Sequence, residues 1–143
     1  MAKKKKTKTI GKLKKDLQPI FNKYIRLRDC QGDAGTNCIS CGKWFKYEDL
    51  QAGHYYAVSG YNGLRFDENN VHAECKRCNC FDESHLIGYG KNLKEKISPL
   101  ELDLLHQNAI DYKKNGYKFT RSELEDLITL YKGKIMDVYD NLF

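Results

Sequence analysis

Cys38-Ile39-Ser40-Cys41 and Cys75-Lys76-Arg77-Cys78-Asn79 are the two stretches on which the reading of this chain turns. Four thiolates arriving as two close pairs are the ligand set that tetrahedral zinc prefers. A site closed by four sulfurs folds a protein rather than catalysing a reaction. Asn37, Ser40 and Gly42 surround the first pair and Lys76-Arg77 lie inside the second, so backbone amides can turn toward sulfur at both. A redox role for such a pair needs a thioredoxin-like βαβ context, which the sequence lacks. The chain shows no membrane-length apolar run and no signal-peptide core, so a cytoplasmic setting is expected, where cysteines serve as metal ligands more readily than as disulfides. Cys30 and Cys80 read as free thiols.

Outward from the cysteines, the segment from Cys38 to about His85 loses helical periodicity and becomes rich in Gly, Asn and aromatic residues. Short strands are predicted near 51–56 and 70–74, with a helix beginning close to Cys78. On the N-terminal side, Leu17, Ile20, Phe21, Tyr24 and Leu27 recur at helical steps, with Asp16 as cap and Pro19 in the first turn; this helix should end near Cys30. On the C-terminal side, Ser98-Pro99-Leu100-Glu101 and Thr120-Arg121-Ser122-Glu123 are helix starts, and Asn115-Gly116 is the turn between them. The last helix carries the apolar stripe Leu124, Leu127, Ile128, Tyr131, Ile135, Val138, suited to core packing or to a symmetric dimer interface.

The chain has 143 residues, 41% hydrophobic and 31% charged, which suits one modest core. Its net charge of +6 is unevenly placed. Residues 1–15 hold eight lysines and no acid, leaving 17 of the 25 basic residues against all 19 acidic ones, a net of −2 for the rest. Lys3, Lys4, Lys5 and Lys6 therefore read as the core of a disordered arm, solubilising and able to neutralise phosphates without sequence preference. Lys76, Arg77 and Arg65 are further candidates for phosphate contact, although Arg65 could instead pair with Asp67 or Glu68. Lys43-Trp44-Phe45-Lys46-Tyr47 reads first as a core strand anchored by the only tryptophan, and second as a surface on which splayed bases could stack.

Between the cysteine pairs lie Gln51-Ala52-Gly53-His54-Tyr55-Tyr56 and Asp67-Glu68-Asn69-Asn70-Val71-His72-Ala73-Glu74. The order Cys-x-x-Cys, His, Asn, Cys-x-x-Cys-Asn resembles the HNH nuclease pattern. The resemblance implies an α+β fold with a ββα-metal core stapled by zinc, flanked by N-terminal and C-terminal helices. Phosphodiester hydrolysis needs a base near neutrality and a divalent cation on the phosphoryl group; histidine, with an ordinary pKa of about 6.5, suits the first task. By resemblance His54 is the base, Asn70 orients its ring or the strand beside it, and Asn79 holds Mg²⁺ or Mn²⁺ through its amide oxygen. Many such sites carry an Asp immediately before the base, where this chain has Gly53. The second cation ligand must then come from His85, Asp67, Glu74, His72 or Asp82, with His85 favoured.

The stretch 52–55 followed by 64–79, Leu-Arg-Phe-Asp-Glu-Asn-Asn-Val-His-Ala-Glu-Cys-Lys-Arg-Cys-Asn, is similar to the NinG family of lambda-type phages, also called Rap. That resemblance implies an endonuclease selective for branched DNA such as Holliday junctions and displacement loops. The expected organisation is a basic arm at 1–15, a zinc-stabilised nuclease domain at 16–97 and a helical extension at 98–143. The competing reading is a zinc-ribbon module that binds DNA or a recombination protein without cutting.

Overall fold

The first helix, α1, spans Ile10–Cys30 in the computed structural model, which describes residues 3–4 and 6–142. It begins seven residues earlier than Asp16 as cap would have it. Thr9 is the cap, its side chain accepting from the Lys12 amide at 3.1 Å, and Asp16 lies in the second turn between Lys8 and Lys12. The basic arm is thus shorter than 1–15: its last six residues are helical, Lys3, Lys4 and Lys6 are exposed, and Lys5 lies outside the described residues. Pro19 stands inside the helix rather than in its first turn, on an exposed face where water can satisfy the carbonyl it leaves unpaired. The buried stripe is Leu13, Leu17, Phe21 and Ile25, a strict spacing of four; Ile20 and Tyr24 flank it.

Strands β1 (Gly35–Asn37) and β2 (Trp44–Lys46) form an antiparallel hairpin whose turn carries Cys38 and Cys41. Trp44 is 59% exposed, so this segment is not a buried core strand. Phe45 faces the cysteine cluster and the Cys30, Leu50 and Ala73 core, while Trp44 and Lys46 alternate to the uncovered face. Strands β3 (Leu50–His54) and β4 (Val71–Cys75) form a second antiparallel pair, in register Leu50↔Cys75 through His54↔Val71. Ile39 N–H donates to the Ala73 carbonyl at 3.0 Å, tying the first hairpin to β4. The helix expected near Cys78 is α2 (Lys76–Phe81); it stops at Asp82 and the chain restarts as α3 (His85–Lys96). Helix α4 (Pro99–Asn115) opens with the Ser98/Glu101 capping box and closes at Gly116, φ 72°. Helix α5 (Arg121–Leu142) starts at the reciprocal Thr120/Glu123 pair.

The result is a mixed α+β fold with two small sheets and a four-cysteine cluster. Residues paired across β3 and β4 share a face, so the hairpin has two distinct sides. Leu50, Ala52, Val71 and Ala73 look toward α1, in cores that include Phe21, Ile25 and Cys30. Gln51, Gly53, His72 and Glu74 look toward α2 and α3. Leu124, Leu127, Ile128 and Tyr131 of α5 pack on α1, so the stripe that suited a dimer interface is largely used within the chain. No helix among the described residues is long and apolar enough to cross a membrane.

Candidate functional site

The four predicted zinc ligands converge. Cys38, Cys41, Cys75 and Cys78 place their sulfurs within 4.8 Å of one another, three buried and Cys41 exposed. The knuckle is shaped by Cys38 N–H to Lys43 O at 2.8 Å, Gly42 N–H to Cys38 O at 2.9 Å and Gly42 at φ 76°, a left-handed turn that favours glycine. Cys75 N–H points at Cys38 Sγ over 3.3 Å. Burial and the neighbouring sulfurs push the Cys78 thiol well above its ordinary range, so four thiolates need a cation between them. The donor set and spacing fit a structural metal such as zinc. Cys30 and Cys80 lie outside the cluster.

His54 closes β3 on the α1 side of the hairpin. Its Nε2 is 2.9 Å from the carbonyl oxygen of Arg65, and its Nδ1 has no partner among the described residues. A carbonyl oxygen only accepts, so Nε2 carries the proton and Nδ1 keeps a free lone pair. Burial holds the His54 pKa below the usual imidazole value; the bond to Arg65 opposes that and the Arg65 charge adds to it. The ring is therefore neutral at physiological pH.

Asn70 is fully buried and saturated. Its Nδ2 donates to the carbonyls of Tyr56 and Leu64, both at 3.1 Å, and its Oδ1 accepts from Tyr56 N–H at 2.8 Å. Of its two expected roles it takes the second: it fixes the backbone that leaves β3 and makes no bond to the His54 ring. A side chain so enclosed cannot touch a substrate, so it is a positioning residue and not a catalytic one.

Asn79 sits in α2 on the opposite side of the hairpin from His54, its Nδ2 donating to Gln51 Oε1 at 2.8 Å. That bond orients the amide and leaves Oδ1 uncommitted among the described residues. Among the described residues strand β3 pairs only with β4, which leaves its other edge free. A cleft of about 360 Å³ opens beside this strand, lined by Pro19, Asn22 and Arg26 of α1, by Leu50, Gln51 and Ala52, and by Asn79.

His85 begins α3, and its Nδ1 lies 2.7 Å from Glu74 Oε2, which also accepts from the Ser40 hydroxyl. Glu74 has no solvent exposure, and its Oε1 has no hydrogen-bond partner among the described residues. His72 is buried with Nδ1 3.1 Å from the Tyr89 hydroxyl, which donates to the Gly53 carbonyl at 2.7 Å. Among the phosphate candidates, Lys76 and Arg77 are exposed on α2. Arg65 instead donates to Gln18 Oε1 at 2.6 Å, while Glu68 pairs with Arg28 and Lys134. Sequence reasoning did not single out Gln51, Ser40 or Tyr89. Each acts through a long-range contact, to a strand or from a strand to a helix, that no local motif announces.

A family model described as Bacteriophage Lambda NinG protein matches residues 1–140. The chain is 32% identical over 127 residues to Protein ninG of Salmonella phage P22, covering 89% of this chain and 58% of the relative. It is 30% identical over 124 residues to Protein ninG of Escherichia phage lambda, covering 87% and 56% respectively. The chain thus spans little more than half the length of the curated relatives it matches. No solved structure matches it.

Proposed function

Since the chain belongs to the NinG family of phage proteins, we propose that it is a metal-dependent endonuclease that hydrolyses phosphodiester bonds in DNA, branched recombination intermediates being its substrate class. The observation that carries this reading is the bond between His54 Nε2 and the Arg65 carbonyl. It leaves a neutral, oriented imidazole whose Nδ1 is unpartnered among the described residues, which is what a general base for water requires. The arrangement of a β-hairpin running directly into a short helix, with the cysteine cluster at the junction, supports the HNH comparison.

Each residue then has a defined task. His54 and Asn79 belong to opposite faces of the hairpin, so the scissile phosphate would lie across the edge of β3 between them. From its side His54 Nδ1 takes the proton of the attacking water, and Asn70 holds the backbone that aims it. Asn79, oriented by Gln51, offers an amide oxygen of the kind that hard cations bind. When bound there, Mg²⁺ or Mn²⁺ supplies charge neutralisation at the phosphate and stabilises the leaving oxygen. Lys76 and Arg77 offer charge to the DNA backbone, and the exposed Trp44 between Lys43 and Phe45 offers a stacking face for unpaired bases at a branch. The choice of branched DNA rests on the family resemblance.

The test is incubation with linear duplex, single-stranded and four-way-junction DNA, with Mg²⁺, with Mn²⁺ or with chelator. Junction cleavage that needs the cation and is lost in His54→Ala is expected. An intact junction in both cations, with stoichiometric binding, would leave a DNA-binding module instead.

A further inference from the structure

Gly53 stands where many HNH sites carry the carboxylate that serves the cation, and the space beside it is occupied. A Cβ at position 53 would overlap Glu74 Oε1 and lie 2.9 Å from both Cβ and Cδ of that side chain. The carboxylate reaches across from β4 into the volume that a residue-53 side chain would fill. Gly53 is absent from the positive-φ residues, so its lack of a side chain serves this close approach and not a turn.

The two oxygens of Glu74 are treated differently. Oε2 is held by the Ser40 hydroxyl and by His85 Nδ1, while Oε1 is buried and unpartnered. A carboxylate oxygen with no exposure and no donor is costly, and such orphans mark places where an ion or water completes the site. Holding one oxygen by a hydroxyl and an imidazole while the other stays free is how outer contacts aim a metal ligand. Glu74 also lies opposite Gln51 in the strand register, and Gln51 is the residue that orients Asn79. The orphaned oxygen and the Asn79 amide thus belong to one side of one hairpin.

We propose that Glu74, reaching across the hairpin into the space left by Gly53, is the carboxylate ligand of the divalent cation that Asn79 also holds, with Ser40 and His85 fixing its orientation. This rests on the nuclease reading for the cation's purpose and for Asn79 as its other ligand; the orphaned oxygen and the cleared space at Gly53 are what point to Glu74. His85, favoured from sequence as the ligand, becomes the residue that aims the ligand. Oxygen donors from a carboxylate and an amide select Mg²⁺ or Mn²⁺ over zinc, which the cysteines retain.

The experiment measures Mn²⁺ binding to the zinc-loaded full chain by electron paramagnetic resonance, without DNA. Glu74→Gln keeps the shape and removes the charge; Mn²⁺ affinity should fall by about tenfold or more, with zinc content unchanged. Gly53→Asp combined with Glu74→Ala moves the carboxylate from β4 to β3 and should return affinity toward the wild-type value. In wild type, where folding is not at issue, Mn²⁺ should broaden the amide resonances of Gly53, Glu74 and Asn79 first. Wild-type affinity in Glu74→Gln, or broadening centred elsewhere, overturns the assignment. Binding at these three residues without DNA cleavage would sink the nuclease reading alone; cleavage with broadening elsewhere would sink this one alone.

Discussion

The Nε2 of His54 is bonded to the main-chain oxygen of Arg65, 2.9 Å away, and this one contact fixes which nitrogen of the ring can accept a proton. Because burial lowers the pKa of the same ring, the accepting form is present throughout the neutral range. A base with a depressed pKa loses activity only on acidification through that value. Cleavage rate should therefore be flat from pH 8 down to about 6.5, with its acidic half-point below that ordinary imidazole value. His54→Ala should lower the rate by about 10²–10⁴-fold while zinc content and junction affinity stay unchanged. An acidic half-point above 7 would show that another group is the base.

Cys41 is the exposed member of the sulfur cluster, yet the cluster joins β1–β2 to the β4–α2 junction and so holds the candidate site together. Cys41→Ser should release zinc and abolish the cooperative thermal transition, since binding free energy of a structural zinc is folding free energy. Zinc content by atomic absorption and a melt followed by circular dichroism check this. A zinc-free variant melting like wild type would refute the role.

The cysteine pairs, the Ser98 and Thr120 caps and the two strands around the site were legible because each is encoded within a few neighbouring residues. The start of α1 was not, because Thr9 lies among lysines while Asp16 and Pro19 imitate a helix start. Trp44 misled because alternation does not say which face is covered: on β2 the covered face is that of Phe45, and Trp44 takes the other. The pairing of Gly53 with Glu74 was out of reach for a further reason: it depends on the register of two strands separated by a long connection. A shift of one residue would have put Glu74 on the α1 side.

Trp44 is 59% exposed and stands between Lys43 and Phe45, so it contributes little to the core. Trp44→Ala should leave the melting temperature within error. If bases at a branch stack on it, affinity for four-way-junction DNA should fall by about tenfold, whereas fully paired duplex should lose much less. Fluorescence anisotropy with the two DNAs separates the cases, and equal losses on both would mean that the indole only touches the backbone.

His72 makes folding sensitive to mild acid. Burial, reinforced by Arg28 and Lys96 and opposed by Asp29, lowers its pKa to about 3 in the fold, against about 6.5 in an unfolded chain. The unfolded state therefore binds a proton that the folded state refuses, and stability is complete above pH 6.5 and lost as pH falls toward 3. The slope from this residue is about 1.4 kcal/mol per pH unit within that window. His54 acts in the same direction, whereas Asp67, raised by burial, acts against it at the acidic end. Asp29 has a lowered pKa: burial would raise it, but Arg28 and Lys96 outweigh that, so its contribution is lost only below the ordinary carboxylate range. Urea unfolding at pH 7.5, 6.0 and 5.0, with zinc in excess, spans the histidine window, and comparison with a His72 variant cancels the zinc contribution common to both. His72→Asn keeps a donor toward the Tyr89 hydroxyl but cannot be protonated, so its stability should vary less steeply with pH than that of wild type. Equal slopes would mean that His72 is protonated inside the fold.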